Sequence, residues 1–199
     1  MTEDPFSTQL DEWLKSDEPK TLGRLGEVFA EKSFAVMILL LMAPTALPIP
    51  TGGLTHIFEV VSVVVAAQMI LGLNTLWLPA RWRDRALGPS ITDKGVPFVS
   101  RRVRWFERFS RPRATALVAS RTALRVLGAI LLILVVVAAA APPFSGLDTL
   151  PGLGVVIIAL GIILEDVVVV AVGLGVGVIG AVLVVVLGAA AFQLVSGLW

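Results

Sequence analysis

The sequence predicts an all-α integral membrane protein built from two related halves, and three observations carry that prediction. Apolar residues make up 56% of 199 positions and charged residues 16%, against roughly 45–50% and 25% in a soluble domain. The charges are segregated: no Lys or Arg follows Arg125. Two Pro/Gly-rich breaks interrupt the apolar runs at comparable points of the two halves. The chain has no cysteine and a single histidine, so disulfides, thiolate chemistry and a Cys- or His-rich metal site are excluded from it alone. No cofactor, metal or enzymatic activity is expected.

Residues 1–32 carry eight acids and four bases, a net −4. Their lack of an apolar core behind a basic start is unlike a cleavable signal peptide. Ser7 is placed to cap a short helix with Leu10, Trp13 and Leu14 on one face, and Pro19 to end it. Thr21 is placed to cap a second helix carrying Leu22, Leu25, Val28 and Phe29. This cytoplasmic segment is expected to lie on the membrane or on the base of the domain.

The first membrane half, residues 33–79, opens with the apolar run Ser33–Ala43. Its 11 residues rise only about 16 Å as helix, too little to cross alone. The break that follows holds Pro44, Pro48, Pro50, Gly52 and Gly53. Proline lacks a backbone N–H and glycine frees the backbone. In lipid such a break is tolerated only where protein or a water-filled cavity satisfies it. A second run, His56–Leu78, is long enough to span. Trp77 and Trp82 are expected at headgroup level, with Pro79 ending the helix.

Residues 81–125 carry twelve bases against three acids, a net +9, so this connection is expected on the cytoplasmic side. Within the connecting segment 80–120, Arg101, Arg104, Arg108 and Arg111 fall on one helical face, opposite Val99, Val103 and Phe106. That pattern predicts an interfacial helix with arginines toward anionic lipid headgroups. Nucleic-acid binding, the rival reading of an Arg-rich aromatic stretch, is set aside because membrane segments flank it.

The second half, residues 121–199, begins with the uncharged run Val126–Ala141. Pro142, Pro143, Pro151 and Gly152 then mark another break. Pro151–Leu164 is again short, Glu165–Asp166 follows, and Val167–Trp199 runs 33 residues without charge, about 50 Å if helical, with Gly188 a point where it could break. A shift of 98 positions lays Met42-Ala43-Pro44 on Ala140-Ala141-Pro142 and Gln68 on Asp166. Paired, Pro/Gly-interrupted segments in two halves point to a transporter-like site. If the first segment of each half re-enters, the halves are inverted; if each spans, they are parallel. The shortness of the first run inclines the reading to re-entry and inversion.

His56 and Glu59 are three apart and share a helix face. An acid inside an apolar run costs at least about 2.5 kcal/mol at the bilayer centre and normally faces a partner or cavity. His56, Glu59, Gln68, Glu165 and Asp166 are therefore the candidate substrate or proton pathway. Two bland readings stand beside this one. His56 and Glu59 could hydrogen-bond the broken loop at the interface, and Glu165–Asp166 could form a solvated turn. Gly175-Val-Gly-Val-Ile-Gly180 matches a dinucleotide fingerprint but lies inside an uncharged segment with no strand before it. Gly173 and Gly177 read instead as a helix-packing pair, and the Gly-rich segment offers a homodimer seam.

Leu22-Gly-Arg-Leu-Gly-Glu27, Pro44–Gly53, Gln68-Met-Ile-Leu-Gly72, Trp77-Leu-Pro79, Pro142–Leu153 and the acidic pair before the Val/Gly-rich helix carry a resemblance to the ExoD family of bacterial exopolysaccharide-synthesis proteins. The resemblance implies a multi-pass protein of the inner membrane linked to exopolysaccharide production, with no catalytic residues to carry over. It also implies a base beside the second-half acid and a glycine after it, where this chain has Glu165-Asp166-Val167. Two functions are expected on these grounds. One is a small transporter, flippase or scramblase for a lipid, lipid-linked sugar or ion. The other is a non-transporting subunit of envelope-polysaccharide machinery. A membrane enzyme acting on lipid headgroups is the weakest reading, because the chain has one histidine and no metal cluster.

Overall fold

The uncharged apolar runs become helices here, and most of the glycines within them do not interrupt them. The computed structural model describes residues 5–21, 23–24, 27, 32–46, 54–73, 76–77, 79, 83–84, 86, 88, 92–93, 96–108, 118, 120–141 and 145–196. Among them are seven helices and no strand: α1 (Phe6–Lys15), α2 (Ser33–Met42), α3 (Leu54–Leu71), α4 (Val96–Glu107), α5 (Arg121–Ala140), α6 (Thr149–Ile163) and α7 (Val167–Ser196). Two of these, α5 and α7, are long and apolar enough to cross a membrane.

The two short apolar helices lie at the centre. Every residue of α2 except Leu40 is buried, and so is most of α6. A helix apolar all round is one that must be enclosed. The longer α5 and α7 instead leave Ile133, Val136, Ile179, Val182 and Val185 exposed on their outer faces. Helix α2 packs on α3 and α6, and α5 packs on α3, α6 and α7.

Glycines set the close approaches and reveal the directions. A Cβ on Gly128 of α5 would lie 2.8 Å from the Met69 Cβ of α3. One on Gly161 of α6 would lie 2.7 Å from Val170 of α7, and one on Gly180 would lie 2.5 Å from Pro151. Both pairs are therefore antiparallel. Gly173 and Gly177 sit in the α6–α7 seam, as the small-residue spacing predicts. Helix α2 runs antiparallel to α6: Thr45, just beyond α2, lies against Gly152, and Lys32 pairs with Glu165 at 3.0 Å.

These directions correct the expectation of inversion; the turn that re-entry requires, at 47–53, lies outside the described residues. Within the described residues α2 passes from the Lys32 end of the bundle to the Thr45 end without turning back. Helix α5, which the 98-position shift sets beside α2, runs the same way. Pro151 and Gly152 do not break the chain; they lie in the first turn of α6, where a missing N–H costs nothing. Helix α7 is continuous through Gly188. Pro48, Pro50, Gly52, Gly53, Pro142 and Pro143 lie outside the described residues.

Helix α3 ends at Leu71, not Leu78. Gly72, at φ +70°, donates to the Met69 carbonyl, and Leu73 donates to Gln68, a Schellman closure. Helix α6 ends identically, with Glu165 at φ +53° donating to Ile162 and Asp166 donating to Gly161. The equivalent helix ends thus match as Gly72 with Glu165, not as Gln68 with Asp166.

Helices α1 and α4 form a further antiparallel pair. Phe6, Leu10 and Trp13 are buried, as are Val96, Val99 and Val103. Ser7 does not cap α1, whose N-cap is Pro5. Its N–H and hydroxyl instead donate to Glu107 at 3.0 and 2.5 Å. Ser100 donates to Asp11 at 2.6 Å, and Arg104 pairs with Asp11. The valine stripe of α4 therefore faces α1, while Arg101 and Trp105 remain exposed. Thr21 does cap the next turn, accepting from the Arg24 N–H. Leu22, Leu25, Val28, Phe29 and Trp82 lie outside the described residues.

Candidate functional site

One end of the bundle gathers the C-terminal end of α2, the start of α3, the end of α5 and the start of α6. This follows from the antiparallel pairs: α3 and α5 meet tail to head at Gly72 and Arg125, and Gly152 of α6 touches Thr45. The chain after α2 and the first turn of α6 therefore approach each other directly, at 3.1 Å between the Thr45 Oγ1 and where a Cβ on Gly152 would lie. Thr45 is buried and its hydroxyl returns to the Met42 carbonyl at 2.7 Å. Pro44, beside it, prevents α2 from continuing as regular helix.

Glu59 lies at this end, roughly 8 Å along α3 from its first residue. Its residue surface is 1% exposed. Its Oε2 is 2.8 Å from the Nδ1 of His56, whose side chain is 52% exposed. Among the described residues His56 is the only partner Glu59 has. The pair joins a buried carboxyl to a half-exposed imidazole, the arrangement a proton or cationic group would use to pass from surface to interior. One turn further, Ser62 is 0% exposed and its hydroxyl has no hydrogen-bond partner among the described residues. Such an orphan costs about 1–3 kcal/mol. Sequence reasoning missed both Ser62 and Thr45. The signal for Ser62 was its place three residues beyond Glu59, one turn along the helix.

The other proposed pathway residues are engaged elsewhere. Gln68 is buried and clamps the chain after α3: its Nε2 donates to the Trp77 carbonyl at 2.9 Å and its Oε1 accepts from the Trp77 N–H at 2.7 Å. Asp166 is 3% exposed and caps α7, accepting from the Val168 N–H at 2.9 Å. Glu165 holds Lys32. These groups sit at the opposite end from Glu59, so the structure does not bring the five residues together.

Arg101 and Arg108 are exposed on and just beyond α4, while Arg104 is held by Asp11. Arg111 lies outside the described residues. Near the N-terminus, hydrogen bonds to Glu27 and Glu18 raise Arg24 above its ordinary value. No group of three or more His, Cys, Asp or Glu that could hold a metal occurs among the described residues.

Comparison with known proteins agrees with the motif order. The chain is 31% identical over 163 residues to an uncharacterised protein of Synechocystis sp. (strain PCC 6803), an alignment covering 78% of this chain and 74% of that one. It is 30% identical over 185 residues to Protein ExoD of Rhizobium meliloti (strain 1021), covering 89% and 74%. No solved structure matches the chain significantly. The profile described as "Exopolysaccharide synthesis, ExoD" matches residues 6–186, and the chain belongs to the ExoD family.

Proposed function

We propose that this protein is a multi-pass protein of the bacterial inner membrane that moves a lipid, a lipid-linked sugar or an ion during exopolysaccharide or envelope production. Glu59 and His56 are its working groups, and the contact between Thr45 and Gly152 is its gate. One observation carries the reading: a carboxyl 1% exposed, inside an apolar bundle, whose one described partner is a half-exposed histidine. Asp166 caps α7, Glu165 holds Lys32, and Asp11 and Glu107 tie α1 to α4; Glu59 has no such structural duty among the described residues. Intramembrane acids without such duties mark substrate or proton routes.

Three features support membrane embedding on several passes. The outer faces of α5 and α7 are apolar and exposed. The enclosed α2 and α6 suit the short segments of transporter cores. Exchanging α2 with α5 and α3 with α6 preserves which helices touch, as a parallel two-fold repeat requires. The positive-inside rule puts the Lys32, Arg121 and Arg125 end in the cytoplasm.

The test is Glu59→Gln, expressed from the chromosome in place of the natural gene and also reconstituted in proteoliposomes. Exopolysaccharide output at the level of a deletion strain, with normal protein abundance, supports the reading; unchanged output and unchanged transport contradict it. The second reading, a non-transporting subunit, is favoured by the exposed Arg101, Trp105 and Arg108 on the outward side of the α1–α4 pair. Reversing both arginine charges then removes an envelope partner in co-purification, while Glu59→Gln leaves output intact.

A further inference from the structure

The end of the bundle opposite Glu59 holds a cavity of about 80 Å³. Phe34, Ala35, Met69 and Ile162 give it apolar walls, and Lys32 and Arg121 also line it. Arg125 stands one turn along α5 from Arg121. Its guanidinium lies against Gly72, another lining residue, 2.7 Å from where a Cβ there would be. The charge balance at this end is uneven. Glu165 is already paired with Lys32, Asp166 caps α7, and neither Arg121 nor Arg125 has an acidic partner among the described residues. The first turn of α5 holds no acid, so these cations add to the positive end of the helix rather than offset it. Nearby, the buried Ser33 hydroxyl has no partner among the described residues.

An apolar slot beside unbalanced cations fits a ligand with an anionic head and a hydrocarbon tail. A free anion would leave the Phe34, Met69 and Ile162 walls unused. The slot is about half the size of the roughly 150 Å³ apolar cavity that accepts benzene, so it takes a few methylenes and not a sugar. We propose that this cavity binds one anionic membrane phospholipid, its phosphate held by Arg121 and Arg125 and the start of a chain seated between α2, α3 and α5. The inference rests on the membrane embedding proposed above. Basic pockets between helices on the cytoplasmic side are where anionic headgroups are held.

Full-length protein in an uncharged detergent is titrated with dioleoylphosphatidylglycerol, dioleoylphosphatidylcholine or inorganic phosphate, and bound molecules are counted by native mass spectrometry. One phosphatidylglycerol is retained about thirtyfold more tightly than phosphatidylcholine, since each arginine contributes a factor of about five at a membrane surface. Arg121→Gln with Arg125→Gln abolishes the preference, and Arg101→Gln with Arg108→Gln does not. Leu124→Trp fills the slot, keeps both cations and also weakens retention, which covers the case of a misfolded double variant. Equal binding of the two lipids overturns the proposal, as does a preference that survives loss of both arginines. Phosphate displacing the lipid while Leu124→Trp has no effect overturns it in favour of a bare anion site. Alkaline carbonate extraction separates the two failures. Protein that stays in the membrane without lipid preference overturns this inference alone, and protein washed free overturns the embedding as well.

Discussion

Glu59 and Asp166 are both buried carboxyls in an apolar helical bundle, and they differ in what they do for the fold. Asp166 donates its backbone N–H to close α6 and accepts the Val168 N–H to start α7. Losing its side chain uncaps α7. Glu59 sits in the interior of α3, caps nothing and has an exposed histidine as its one polar partner among the described residues. The comparison teaches that burial of an acid is not itself a sign of function; burial without structural employment is.

Glu59→Gln sharpens the contrast most. Exopolysaccharide output falls to the deletion level, while thermal stability in detergent stays about equal, because the amide has the same size, can still hydrogen-bond His56 and no helix end depends on it. A loss of output that only tracks loss of folded protein would erase the distinction. Gly72→Ala tests the helix end equivalent to that of Asp166. The left-handed φ and the nearby Arg125 guanidinium together make it cost about 2 kcal/mol, read as a lowered melting temperature. Asp166→Ala loses the cap of α7 and costs about 1 kcal/mol, with output reduced only in proportion to folded protein. Glu165→Gly is the mildest. It relieves a strained left-handed residue worth about 1 kcal/mol and gives up a partly exposed ion pair worth at most about as much. The net change stays within a few tenths of a kcal/mol, and in a Lys32→Ala background, with no ion pair left to lose, the same substitution stabilises by about 1 kcal/mol.

The two matching closures show what was legible in the chain. The bounds of α2 followed from Lys32 on one side and Pro44 on the other, whereas α5, read as the uncharged run Val126–Ala141, starts earlier, at Arg121, because Ser120 caps it. The end of α3 was hidden. The residues to Leu78 remain mostly apolar, and a glycine amid such a run reads equally as a packing site until its φ is known. Asp166 directly before four valines is a helix-start signal, overshadowed by the expectation that an acid among apolar segments serves transport. The direction of the repeat was not legible, because hydropathy is the same for a segment read upward or downward. Nor was the approach of Thr45 to Gly152, which joins positions 107 apart through packing alone.

The central claim is that the ends of α2 and α6 meet as a gate over Glu59. The natural chain has no cysteine, so Thr45→Cys with Gly152→Cys introduces a single disulfide across that contact. The account predicts that exopolysaccharide output is lost when the pair is oxidised and regained on reduction. A disulfide that forms fully and leaves output unchanged would contradict it, leaving a fixed scaffold in place of a moving one.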